Sequence, residues 1–326
     1  MNQTSDEVDV VTLTLNPSLD LSTAVDAIEP WRKLRCDTSQ LDPGGGGINV
    51  ARAVRTLGGH AIAVATLGGH VGSEVAAALT REGIALRRVR TRRGTRQNFA
   101  VTERATGQQF RFIQGGEHMS RAEWQRALDA TVDEGRAAGC VVASGSVPPG
   151  VPDDVYARLA ERLAPFAVPV IVDTSGPALH ASILARVELV KPSVNELQSL
   201  VRRTLVTVAD YEGAARELLE SGRCSSMVVS LGAEGALIVP RGSPATVVSA
   251  PQVEVRSTIG AGDSMVGGIA LMLSRHAPLV DAVRVGVAAG TAAVLRSGTA
   301  LCRADDVAML EARVTTSCAA AGDRGR

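Results

Sequence analysis

Val255-Arg256-Ser257-Thr258-Ile259-Gly260-Ala261-Gly262-Asp263-Ser264-Met265-Val266-Gly267-Gly268-Ile269 holds the candidate chemistry of this 326-residue chain. Two glycines precede a carboxylate that opens an apolar helical run, Met265, Val266, Ile269, Ala270 and Leu273. Glycine permits a tight backbone and close approach of a ligand. Gly260 and Gly262 can therefore aim successive N–H groups outward where a helix leaves its first donors unpaired. Such a helix start suits an anion, phosphate above all, because free N–H groups and the positive end of the helix dipole both favour negative charge. Asp263 then has two readings. It is either a plain helix-start carboxylate or a general base beside a phosphate cradle, the pairing a kinase needs to take a proton from a hydroxyl attacking a γ-phosphate.

The flanking sequence alternates strand and helix. Val8 to Leu15 reads as a buried parallel strand, with further strands at Ala61 to Thr66, Leu86 to Arg90, Cys140 to Ser144, Pro169 to Asp173 and Val187 to Lys191. Helices are expected over Gly72 to Glu82, Arg121 to Arg136, Asp153 to Ala164, Leu279 to Leu295 and Ala304 to Arg313. This rhythm predicts an α/β fold, a mostly parallel central sheet covered by helices, with active-site residues beyond the carboxyl ends of its strands. Ser144-Gly145-Ser146, Asp173-Thr174-Ser175-Gly176, Lys191-Pro192-Ser193 and Ser230-Leu231-Gly232 fall at those ends.

Other segments break the alternation. Asp20 to Asp26, Lys33 to Leu41, and a hairpin of Arg96 to Thr102 with Gln108 to Ile113 form a small separate sheet, read as a lid over segments 20–42 and 94–113. Three of the four phenylalanines, Phe99, Phe110 and Phe112, lie in that hairpin. One sheet face is therefore expected to be buried, over substrate or against a second copy of the chain. A single domain over residues 8–314 is expected, with a disordered tail over 315–326.

Composition narrows the partners. Lys and Arg total 34 and so do Asp and Glu, leaving no basic field for nucleic acid or anionic lipid. No apolar run approaches the ~18 residues of a membrane span. The five cysteines are widely spaced, and the N-terminus lacks a signal-peptide pattern, so a cytoplasmic location is expected. Only two basic residues are lysine, Lys33 and Lys191, which marks both as places where a compact ammonium matters. Pro43-Gly44-Gly45-Gly46-Gly47-Ile48-Asn49 makes a second backbone-lined pocket, but neither a dinucleotide fingerprint nor a Walker P-loop is present.

Asn16-Pro17-Ser18-Leu19-Asp20, Gly44 to Arg52, Thr95-Arg96-Gln97-Asn98, Ser144 to Gly150, Val190-Lys191-Pro192, Val229 to Gly232 and Gly260-Ala261-Gly262-Asp263 resemble the ribokinase-like PfkB carbohydrate kinase family. Several blocks look nearest to its minor bacterial 6-phosphofructokinase branch. The resemblance implies ATP-dependent phosphorylation of a sugar phosphate, fructose 6-phosphate to fructose 1,6-bisphosphate. Tagatose-6-phosphate kinase or 1-phosphofructokinase activity is the alternative, and a non-catalytic sugar-phosphate sensor is the reading from another class. It implies Asp263 as base with Gly260, Ala261 and Gly262 as the anion hole. Asp20, Lys33, Gly45, Gly46, Asn49, Arg96 and Ser144 are implied on the sugar-phosphate side, and Lys191, Ser193, Ser230 and Gly232 on the ATP side. Mg²⁺ is expected with Glu196, through water, and a homodimer through the lid. The family's Asn-x-x-Glu stands here as Ser193-Val194-Asn195-Glu196, a departure expected to tune metal handling.

Overall fold

A computed structural model describes residues 7–319 apart from 297 and 299. In chain order its elements begin with β1 (Val10–Thr14), β2 (Ser18–Val25), β3 (Gln40–Gly44), α1 (Gly46–Thr56), β4 (Ala61–Leu67), α2 (Gly69–Arg81) and β5 (Ala85–Arg90). Next come β6 (Arg96–Glu103), β7 (Gln109–Phe112), α3 (Arg121–Gly135), β8 (Cys140–Ser144), α4 (Val155–Leu163), β9 (Val170–Asp173) and α5 (Gly176–Leu184). The remainder is β10 (Leu189–Val190), α6 (Val194–Val201), α7 (Val208–Ser221), β11 (Ser226–Ser230), β12 (Gly235–Pro240), β13 (Thr246–Ser249), α8 (Ala261–Ser274), α9 (Leu279–Val294), α10 (Ala304–Glu311) and β14 (Thr315–Cys318).

Ten strands form one sheet in the order β14-β13-β12-β11-β10-β9-β8-β1-β4-β5, parallel from β11 to β5 and antiparallel from β11 to β14. The central strands β1 and β8 are buried along their whole length, which explains why they read as continuous apolar runs. Adjacent strand residues enter different cores. Val142 packs with helices α1, α2, α8, α9 and α10 on one face, while Val141 and Ala143 pack with α3 to α7 on the other. Helix starts follow local chemistry. Ser120 and Glu123 form a reciprocal capping box at α3, and Thr207 with Asp210 does the same at α7.

The small sheet has the order β3-β2-β6-β7, with β2 and β6 parallel and both outer pairs antiparallel. Register places Leu21 opposite Leu41 and Phe99, and Phe99 opposite Phe112, so these four share a face. Leu41, Phe99 and Phe112 are 51%, 38% and 57% exposed, leaving that face open in a single chain. Asp20, Asn98, Ala100 and Arg111 occupy the opposite register.

Three expectations are corrected. The segment Lys33 to Leu41 is not a strand: 26–39 is irregular, fastened where Arg104 pairs with Asp26 and Asp37, and pairing begins at Gln40. Strand β10 spans only Leu189–Val190, shorter than the expected Val187 to Lys191: Lys191 N–H still donates to Val172 C=O at 3.1 Å and Pro192 C=O accepts from Ser230 N–H at 2.9 Å, but proline has no N–H to give, and the ladder continues only as a single bridge between Ser193 and Ser230. The expected disordered tail is ordered over Thr315–Cys318, where β14 completes the sheet edge against β13; the tail residues 320–326 lie outside the described residues.

Candidate active site

The loop before α8 turns back at Gly260, whose φ of 75° lies in the left-handed region that favours glycine. Gly260 C=O accepts from Ser264 N–H at 2.8 Å, so the helix closes its first turn there, leaving the N–H groups of Ala261, Gly262 and Asp263 without helical acceptors. Asp263 occupies that first turn, half-buried in the cleft. Its Oδ2 accepts from Asn49 Nδ2 at 2.8 Å. Burial first, then the negative charges of Asp173 and Asp20, push its pKa up to about 6 against the opposing pull of Asn49 and Lys191. A carboxylate held there can change protonation near neutrality.

Asn49 comes from α1, whose first turn is Gly46 and Gly47 behind the N-cap Gly45. The chain crosses so close to the end of β8 that a Cβ on Gly46 would collide with Ser144 Oγ. Ser144 itself is 1% exposed and lies 3.4 Å from Asp173 Oδ2, so it backs the pocket rather than facing it.

Lys191 emerges after β10, 5% exposed, with Nζ 3.1 Å from Asp173 Oδ1. Burial opposes its charge, but Asp173 beside it, with Glu196 and Asp263, holds its pKa above the ordinary lysine value. A Cβ on Gly262 would lie 3.9 Å from Nζ, so the ammonium stands at the anion hole. Lys33, the other lysine, is exposed in segment 26–39 and has no partner among the described residues.

An apolar cavity of about 300 Å³ opens on the far side of the Ala261–Gly262 amides, lined also by Val253, Met265, Val287 and Val294. Ser230 and Gly232 are at its wall. Ser193, bridged to Ser230 but not lining the cavity, caps α6, its N–H and hydroxyl donating to Glu196 Oε2 at 2.7 and 2.9 Å. One oxygen of Glu196 is thus committed to a capping box, and Asn195 is exposed beside Gln198 rather than in the serine's place. Among the described residues no group of three His, Cys, Asp or Glu is arranged to hold a metal.

On the lid side, Asp20 Oδ1 accepts from Ser18 Oγ at 2.7 Å and Asn98 Nδ2 at 2.8 Å, which fixes its rotamer. Arg96 is less free than its sequence position suggests. Its Nη1 donates to Gln114 C=O at 2.6 Å and its Nη2 to Asn16 C=O at 3.1 Å, so it ties the lid root to the body. Arg111 on β7 shares a hollow with Asp20 and Asn98, and its guanidinium has no partner among the described residues. Sequence reasoning passed over Arg111, Asn98 and Asp173 as site residues. Arg111 sits between Phe110 and Phe112, where alternation draws attention to the aromatics. Asp173 carried only the weak signal of a carboxylate at a strand end.

The sequence matches the pfkB family carbohydrate kinase pattern over residues 8–306. This chain belongs to that family. As a pfkB family member it is an enzyme, a carbohydrate kinase with the ribokinase-like fold. It is 44% identical over 298 residues to the ATP-dependent 6-phosphofructokinase isozyme 2 of Mycobacterium tuberculosis, covering 91% of this chain and 87% of the relative. The 1-phosphofructokinase of Escherichia coli is 34% identical over 305 residues, covering 94% and 97%. The crystal structure of Escherichia coli phosphofructokinase-2 in complex with fructose-6-phosphate superposes with a TM-score of 0.87 at 41% identity, over 94% of this chain and 99% of that one.

Proposed function

We propose that this kinase transfers the γ-phosphoryl group of ATP to the 1-hydroxyl of fructose 6-phosphate. The observation that carries the reading is the position of Asp263, a carboxylate of raised pKa between the phosphate-binding helix start and the lid residues Asp20 and Arg111. The higher identity to a 6-phosphofructokinase than to a 1-phosphofructokinase supports the choice of sugar phosphate.

The apolar cavity takes the adenine and ribose, bringing the phosphates over the Ala261 and Gly262 amides and Lys191 Nζ. Asp20 and Asn98 hold sugar hydroxyls, and Arg111 grips the 6-phosphate from the lid with a guanidinium that no carboxylate among the described residues has claimed. Asp263 accepts the hydroxyl proton as the new O–P bond forms. The bond from the γ-phosphorus to the bridging oxygen breaks, and ADP leaves. Charge building on the transferred group is met by amides already in place and by the buried ammonium.

The residues present fit Mg²⁺ that travels on the phosphates. Lys191 fills the space among the carboxylates and Glu196 keeps one oxygen in its cap, so no protein cage is offered, which suits an ion that retains waters and leans on substrate phosphates. Glu196 would hold it through water, and the ion would supply neutralisation of phosphate charge. The open face of Leu21, Leu41, Phe99 and Phe112 supports a homodimer joined through the lids, and the balanced charge supports a soluble, cytoplasmic enzyme working on small molecules.

A coupled ADP-release assay across fructose 6-phosphate, tagatose 6-phosphate and fructose 1-phosphate tests the reading. The highest kcat/KM is expected with fructose 6-phosphate. Preference for fructose 1-phosphate would move the assignment, and no turnover with any would favour a sensor.

A further inference from the structure

Asn49 has two ways to present its amide to Asp263, and only one of them donates a hydrogen bond. In the structure Nδ2 faces the carboxylate and Oδ1 faces Nη1 of Arg52, at 3.4 Å. A guanidinium carries donors and no acceptor, so an amide flipped end for end would set N–H against N–H at Arg52 and oxygen against oxygen at Asp263. Arg52 is itself fixed. Its Nε and Nη2 form a two-pronged pair with Glu82 at 2.6 and 3.0 Å, and Nη1 also reaches Pro43 C=O of β3 at 3.4 Å. Asp42 of the same strand lies 3.8 Å away. Arg52 is only 13% exposed.

Glu82 is unusual in its own helix. It sits at the C-cap of α2, where the negative end of the dipole disfavours a carboxylate, so local helix energetics do not explain it. Its two oxygens are both spent on Arg52.

We propose that Arg52 is a positioning residue for phosphoryl transfer: held by Glu82, it locks the Asn49 amide in the orientation that donates to Asp263. Because the same guanidinium touches Pro43 in β3, the lid strand and the base share one anchor. The inference rests on the reading of Asp263 as the base. The donated hydrogen bond favours the ionised carboxylate, so losing it raises the pKa at which the base becomes active. The other groups facing Asp263 are Asp20 from β2, Asp173 from the end of β9 and Lys191 after β10, and Arg52 touches none of the three.

The test is the pH dependence of kcat in full-length Arg52→Lys, from about pH 5 to about pH 9, beside its melting curve. Lysine keeps the charge for Glu82 but cannot span Glu82 and Asn49 together. The acid limb is expected to move up by about half a unit to one unit, the worth of one hydrogen bond, with a loss of about twofold to fivefold near pH 6 that shrinks above about pH 8. Glu82→Gln, which removes the charge and one of the two acceptors that hold Arg52 without changing side-chain size, is expected to move the limb the same way and decides the matter if Arg52→Lys does not fold. An acid limb that stays in place, with any loss equal at every pH, overturns the proposal and leaves Arg52 a clamp between α1 and α2. Asp263→Asn separates the two readings: activity retained there sinks the base assignment, whereas an inactive Asp263→Asn with an unmoved limb in Arg52→Lys sinks only the positioning role.

Discussion

Asn49 and Asp263, 214 residues apart in the chain, are joined by a single hydrogen bond of 2.8 Å from the amide nitrogen to the carboxylate. One residue opens α1 and the other opens α8, so the two glycine-rich helix starts recognised separately in the sequence converge on one point. That convergence tempers the protonation of the proposed base. Burial raises the pKa of Asp263 to about 6, and the Asn49 donation limits the rise. The base is competent only when ionised. Activity is therefore expected to climb as pH rises through about 6 and to level off above it, read as the acid limb of kcat against pH in saturating substrates. A limb near the ordinary aspartate value would show that the carboxylate is solvated during turnover.

Replacing Asp263 with asparagine is expected to lower kcat by roughly 10²-fold or more while ATP binding survives. Stability should move the other way. The folded pKa is raised, so the fold is penalised as pH rises from the unfolded value through about 6 and carries the whole penalty above it. Asparagine removes that penalty. Allowing for water in the open cleft, Asp263→Asn should gain about 1–2 kcal/mol at pH 8 and nothing below about pH 4, measured by denaturant titration at both pH values.

Arg111→Ala should raise KM for the sugar phosphate by about 10- to 100-fold with KM for ATP little changed, because one or two charge-assisted hydrogen bonds to phosphate are lost. Arg96→Ala should behave differently. With its Nη groups tied to Gln114 and Asn16 carbonyls, its loss loosens the lid root, so a lowered melting temperature is expected beside any kinetic defect. Equal damage to both KM values in Arg111→Ala would show that the lid pocket is misassigned.

Phe112→Glu places a charge in the open lid face, 57% exposed in the single chain. If lids pair, burying that charge without a partner costs enough to split the dimer, and sedimentation at micromolar concentration should show a shift toward monomer. A wild-type chain already monomeric under those conditions would remove the lid-pairing reading.

Apolar runs carried the six parallel strands from β10 to β5, because strands buried on both faces, such as Val10–Thr14 and Cys140–Ser144, must be apolar throughout, whereas β11 to β14 were not read as strands. Alternation located the other lid strands but misread Lys33 to Leu41, where a single backbone bond from Asp37 N–H to Ala24 C=O and two ion pairs of Arg104 hold the chain and ladder pairing starts only at Gln40. Glycine followed by a first-turn carboxylate was legible at Gly260 to Asp263, since backbone geometry there is a local property of residue type.

What the sequence determined by itself was therefore the set of helix starts, strand ends and lid segments that line the cleft, each dictated within a few residues. Only the tertiary structure decided which side chains meet. Of two rare lysines, Lys191 is buried against Asp173 at 3.1 Å while Lys33 stands in solvent; the apolar run before Lys191 marks a strand end, but its ion-pair partner comes from a different strand. Likewise the carbonyls of Gln114 and Asn16 that occupy Arg96 come from elsewhere in the chain, and that Arg111 meets no partner among the described residues follows from the packing around it. Ionisable groups take their roles from burial and from the charges around them, and both are properties of the packed molecule rather than of the local chain.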